Sequence, residues 1–102
     1  MKIVIAPDSF KESLSSLEAA QSIANGLQVA LSDCELVIVP IADGGEGTVD
    51  SVLTARKGES VQVDVQGPLG ATVAARYGLI EQGSTAIIEM ASASGLALIP
   101  LE

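Results

Sequence analysis

The stretch KIVIAPDSFKESLSSLEAAQSIANGLQVALSDCELVIVP, residues 2–40, decides the fold. Ile3-Val4-Ile5-Ala6 is an unbroken apolar run closed by Pro7-Asp8, the pattern of a strand buried on both faces and hence of a central parallel strand. Ser15 and Glu18 stand at the S-x-x-E spacing in which a hydroxyl and a carboxylate reciprocally satisfy the open amides of a helix start. Behind them Leu17, Ala20, Ala24, Leu27 and Leu31 recur at three- and four-residue intervals, which predicts a helix from about Ser16 to Leu31 with one apolar face. Gly26 costs that helix on the order of 1 kcal/mol relative to Ala. Leu36-Val37-Ile38-Val39-Pro40 then repeats the buried-strand pattern.

Working outward, a glycine-rich loop follows Pro40, and Val49, Val52 and Leu53 mark one face of a second helix from Thr48 to about Arg56. Strand, helix, strand, helix implies parallel strands joined by a crossover, a flavodoxin-like or doubly wound α/β start. Open sheets of that kind place ligands at the carboxyl ends of their strands. From Ser60 the period changes to two. Val61, Val63 and Val65 alternate with polar residues, Gly67-Pro68-Leu69-Gly70 makes a turn, and Val73, Ala75, Tyr77 and Leu79 alternate again. After Gln82-Gly83-Ser84, the run Thr85 to Glu89 predicts a third strand of an antiparallel meander. The expected division is 1–58 for the βαβα part of a doubly wound domain and 59–102 for the meander, opening a second layer or domain. The apolar run Leu96 to Leu101 predicts a continuation to pack against, or self-association through that end.

Composition narrows the function. In 102 residues, 48% are apolar, almost all aliphatic, with one Phe, one Tyr and no Trp, so stacking on nucleic acid bases is nearly excluded. A net charge of −8 repels phosphate backbones and anionic lipid surfaces. Small molecules are therefore the expected partners, with no nucleic acid and no membrane. There is no apolar run of about 18 residues and no signal-peptide pattern, which reads as cytoplasmic. No histidine is present, so Ser–His–Asp and Cys–His mechanisms are excluded for this chain, and the lone Cys34 reads as a reduced residue without chemistry.

Three stretches carry candidate chemistry. In Pro7-Asp8-Ser9-Phe10-Lys11-Glu12-Ser13, Asp8 is suited to orient a hydroxyl or metal-bound water, Ser9 to donate a hydrogen bond, and Lys11 to hold a carboxylate or phosphate as a point charge. The alternative is a capped loop with a solvated lysine. Ala42-Asp43-Gly44-Gly45-Glu46-Gly47-Thr48 has three glycines in four positions at a helix start, where successive N–H groups make an anion nest. It matches neither the phosphate-binding P-loop nor the dinucleotide fingerprint. Two carboxylates beside that nest suit a hydroxy-acid: N–H groups and Lys11 for its carboxylate, Asp43 and Glu46 for its hydroxyls or a metal. The alternative is a glycine turn with an acidic helix start. Glu89-Met90-Ala91-Ser92-Ala93-Ser94-Gly95 closes an apolar strand; Glu89 reads as a functional carboxylate, and Ser92 or Ser94 as a hydroxyl donor or a helix cap.

In this order, APDSFKES, PIADGGEGTVD, GPLGATVAARYG and AIIEMASASGL resemble the amino-terminal segment of the bacterial glycerate kinase family, over essentially the whole chain. The resemblance implies a two-domain α/β kinase with its active site in the cleft between domains. It implies transfer of the γ-phosphoryl group of MgATP to D-glycerate, giving 2- or 3-phosphoglycerate. By match to its motifs, Asp8, Lys11 and Asp43 are the expected catalytic residues. Ser9, Gly44, Gly45, Glu46, Gly47, Thr48, Glu89, Ser92, Ser94 and Gly95 are the expected substrate-binding residues. Family members are several times longer, and their later glycine-rich motifs, which the resemblance links to ATP binding, lie outside this chain. The chain alone is thus expected to be inactive, and the alternative reading is a non-catalytic small-anion-binding module or an inactive fragment. Glu12 stands where many members have Gly, a departure that alters the loop after Lys11 without removing a proposed catalytic group.

Overall fold

A computed structural model describes residues 1–101. The chain is mixed α/β, with a two-stranded parallel sheet and a three-stranded antiparallel sheet, and it divides into two compact units, Met1–Asp43 and Gly44–Glu102.

The first unit is a βαβ element. Strands β1 (Lys2–Ile5) and β2 (Glu35–Ile38) pair in parallel, with Ile3 opposite Leu36 and Ile5 opposite Ile38, and helix α1 (Ser16–Ala30) connects them. The S-x-x-E signal is realised in full. Glu18 N–H donates to the Ser15 hydroxyl oxygen at 3.2 Å, while Ser15 N–H donates to a Glu18 carboxylate oxygen at 2.8 Å. Ala20 and Ala24 of α1 bury against Ile5, and Ile3, Leu27, Leu36 and Ile38 complete the cluster. Strand alternation sends the intervening residues to the opposite face. Val4 is 58% exposed there, so β1 is covered on one face within this unit and not on both, because α1 is the only helix the unit has.

The second unit is built on the predicted meander. Strands β3 (Gly58–Gln66), β4 (Thr72–Ile80) and β5 (Thr85–Ile88) pair antiparallel in that order. The alternating valines fall into register: Val61 opposite Tyr77, Val63 opposite Ala75, Val65 opposite Val73. Helix α2 (Thr48–Ala55) packs on this sheet with Val49 fully buried. Gly78 makes that approach possible, since a Cβ there would meet Val49 and Leu53 side chains at 3.3 Å. The compact units accordingly divide between Asp43 and Gly44, ahead of the expected boundary after residue 58. The cause is that α2 buries its apolar face on the antiparallel strands. A short helix α3 (Met90–Ser94), absent from the sequence reading, follows β5 and lies along β4.

Candidate functional site

Three of the predicted residues occupy one exposed loop of the first unit. It leaves β1 at Ile5 and turns at Phe10, where Ser13 N–H donates to the Phe10 carbonyl and Phe10 and Leu14 form a bridge. Asp8, Ser9 and Lys11 are all exposed, and the Asp8 carboxylate accepts the Ser9 N–H at 2.7 Å. Glu12 has φ +59, in the left-handed region that favours glycine. The parallel ladder runs on past the strands: Val39 N–H donates to the Ile5 carbonyl and Ile41 N–H to the Pro7 carbonyl. Those bonds tie the segment leading to the exposed Asp43 to the backbone just before Asp8. Asp8, Ser9, Lys11 and Asp43 therefore follow the carboxyl ends of the two parallel strands, the position where open α/β sheets hold ligands.

The glycine turn opens the second unit. Gly44 and Gly47 have φ +95 and +90, conformations that glycine adopts without steric cost. Gly47 is the N-cap of α2 and has no side chain to close the helix start. A distant carboxylate closes it. Glu89, at the end of β5 and 8% exposed, accepts the Gly47 N–H on Oε1 and the Val49 N–H on Oε2, both at 3.0 Å. Thr48 turns inward as well, its hydroxyl donating to the Gly45 carbonyl at 2.7 Å and its N–H to the same oxygen at 3.2 Å. Negative charge is favoured at a helix start, and charge-assisted bonds of this kind are roughly twice as strong as neutral ones.

The third motif also has internal partners. The Ser92 hydroxyl oxygen accepts the Arg76 N–H at 3.0 Å, on a stretch of β4 beyond the reach of β5, so it continues the ladder there. The Ser94 hydroxyl donates to the Met90 carbonyl at 3.3 Å, and Gly95 N–H donates to the Ala91 carbonyl as α3 ends. The structure thus brings Glu89 to the glycine turn and uses Ser92 against β4. Sequence reading missed the Glu89 bridge, although a capless glycine N-cap and a strand-terminal acid were both visible.

A shallow groove of about 380 Å³, lined by Lys57, Gly58, Glu59, Leu79, Gln82 and Gly83, contains none of the predicted residues. Among the described residues no three His, Cys, Asp or Glu side chains come together to hold a metal ion. No helix among the described residues is long and apolar enough to cross a membrane.

Comparison with known proteins agrees with the motifs. The glycerate kinase family model matches residues 3–102. The chain is 54% identical over its full length to glycerate 2-kinase of Escherichia coli K12 and 52% identical to glycerate kinase of Bacillus subtilis 168, and in each case it spans 27% of the relative. A crystal structure of a Salmonella typhimurium LT2 protein, named as a candidate glycerate kinase 2, superposes with a TM-score of 0.77 at 53% identity. The match covers 98% of this chain and 27% of that one. The chain therefore spans about a quarter of the length of the relatives it matches, and within that length it belongs to the glycerate kinase family.

Proposed function

We propose that this chain is the acceptor-side segment of a kinase that transfers the γ-phosphoryl group of ATP to a hydroxyl of D-glycerate. The observation that carries this reading is the grouping of Asp8, Ser9, Lys11 and Asp43 after the carboxyl ends of β1 and β2, held by the Ile41 to Pro7 bond. Phosphoryl transfer needs little covalent help from the protein; it needs an oriented acceptor and stabilised charge. Lys11 supplies a cation for the glycerate carboxylate or the transferring phosphoryl group, and Ser9 a hydrogen bond. Asp43 or Asp8 orients the attacking hydroxyl and takes its proton as the new O–P bond forms and the bond to the departing ADP oxygen breaks. The glycine turn, in which Gly44 and Glu46 are exposed, is assigned to substrate binding as well, with the Glu46 carboxylate accepting from a hydroxyl. A magnesium ion, when present with the nucleotide, neutralises phosphoryl charge. ATP binding and the rest of the catalytic set fall to the length that the relatives have beyond this segment, and the chain by itself is inactive.

Joining this chain to the remaining length of the Escherichia coli relative gives a full-length enzyme in which the reading can be tested. D-glycerate phosphorylation is expected from the hybrid, and Asp43→Asn is expected to lower kcat by about 10²–10⁴, the worth of a positioned base. Turnover within a few-fold of the unsubstituted hybrid removes Asp43 from that role.

A further inference from the structure

The glycine turn reads as an anion cradle in the sequence, yet three donors at this helix start are already used. Gly47 and Val49 give their N–H groups to the two oxygens of one buried carboxylate, and the Thr48 N–H between them goes to the Gly45 carbonyl. A second carboxylate on the same amides would sit against Glu89, and two like charges at that range disfavour one another strongly. The start of α2 is therefore filled from within. Gly47 has no side chain to hold its own helix start, and positive φ at Gly44 and Gly47 leaves the turn with few intrinsic restraints. Glu89 supplies the restraint from forty residues away, anchored by the β4–β5 pairing that ends one residue before it.

We infer that Glu89 is a positioning residue and not a ligand of the substrate: its carboxylate clamps the Gly44–Thr48 turn and occupies the amides of Gly47 and Val49, which are then closed to a substrate carboxylate. The inference rests on the acceptor-side reading above and deepens it.

The test uses the full-length hybrid and two substitutions. In Glu89→Gln one acceptor oxygen is replaced by an NH₂ group facing an N–H, and in Glu89→Ala both acceptors are lost. Hydrogen exchange in the peptide spanning residues 44–50 is expected to accelerate by about tenfold or more in both, as two charge-assisted bonds, one buried and one half-buried, are weakened or removed. For Glu89→Ala, kcat is expected to fall by about 10²-fold, the cost of roughly 1 Å of misplacement, with KM for D-glycerate nearly unchanged. Added formate is expected to restore kcat saturably in Glu89→Ala and to leave the parent hybrid unaffected, because a small carboxylate fits the vacated amides; a merely structural loss would show no such rescue. A rise in KM of about tenfold with kcat retained would make Glu89 a substrate ligand and overturn the inference. Unchanged exchange at 44–50 in Glu89→Gln would overturn it too, and that readout decides even if the hybrid fails to phosphorylate glycerate, an outcome that would count against the functional reading instead.

Discussion

Glu12 is the residue where chemistry and backbone disagree. Its φ of +59 costs a side-chain-bearing residue roughly 1–2 kcal/mol, while glycine at the same place loses roughly 0.5–1 kcal/mol through its greater freedom when unfolded. The balance predicts that Glu12→Gly stabilises the chain by about 0.5–1 kcal/mol and that Glu12→Ala, which keeps the Cβ, gives no such gain. Denaturant unfolding of the three proteins checks it, and equal midpoints for Glu12→Gly and Glu12→Ala would contradict the strain argument. The departure from the family's glycine was legible in the sequence; the left-handed backbone that makes it matter was not, because nothing in the local residues other than the resemblance demands positive φ. Glu89 illustrates the opposite case. Its place as an acid at the end of an apolar strand was legible, but its partners lie forty residues away and only the folded sheet brings them together.

At the scale of elements, the signals that proved reliable were those completed within a few residues. The reciprocal Ser15 and Glu18 cap starts α1 where the spacing placed it, and the period-two valines set the β3–β4 register. The cap also makes a pH prediction. The Glu18 carboxyl is held below the usual carboxylate range, first by the Ser15 backbone N–H and then by the Ser15 hydroxyl. A group whose folded pKa is depressed adds stability that is fully present above its unfolded pKa and is lost as pH falls through the lower, folded value. Helix α1 is thus expected to weaken as pH drops below about 4.3, the ordinary value for a glutamate. Glu18→Gln, which removes the titrating carboxyl, should flatten that dependence. Far-UV circular dichroism from pH 7 to pH 3 on both proteins checks it; parallel curves would contradict the assignment. The allegiance of α2 was not legible, because an eight-residue helix with Val49, Val52 and Leu53 on one face fits either sheet. The choice is made by Gly78, which lets Val49 and Leu53 come close to β4.

At the scale of the molecule, the parallel and antiparallel sheets were both legible, and so was the family, since its motifs span the chain from Pro7 to Gly95. The chain spans 27% of its relatives, and the division proposed above gives the acceptor to this segment and the nucleotide to the further length that the relatives have. The most direct measurement is a residue-resolved NMR titration of the chain with D-glycerate, read at the amides of Ser9, Lys11 and Gly44 to Thr48. Saturable shifts at Ser9, Lys11, Gly44 and Glu46, smaller at Gly47 because its N–H already binds Glu89, are the predicted result. A folded spectrum in which those signals do not move at any glycerate concentration would contradict the claim that this segment carries the acceptor site.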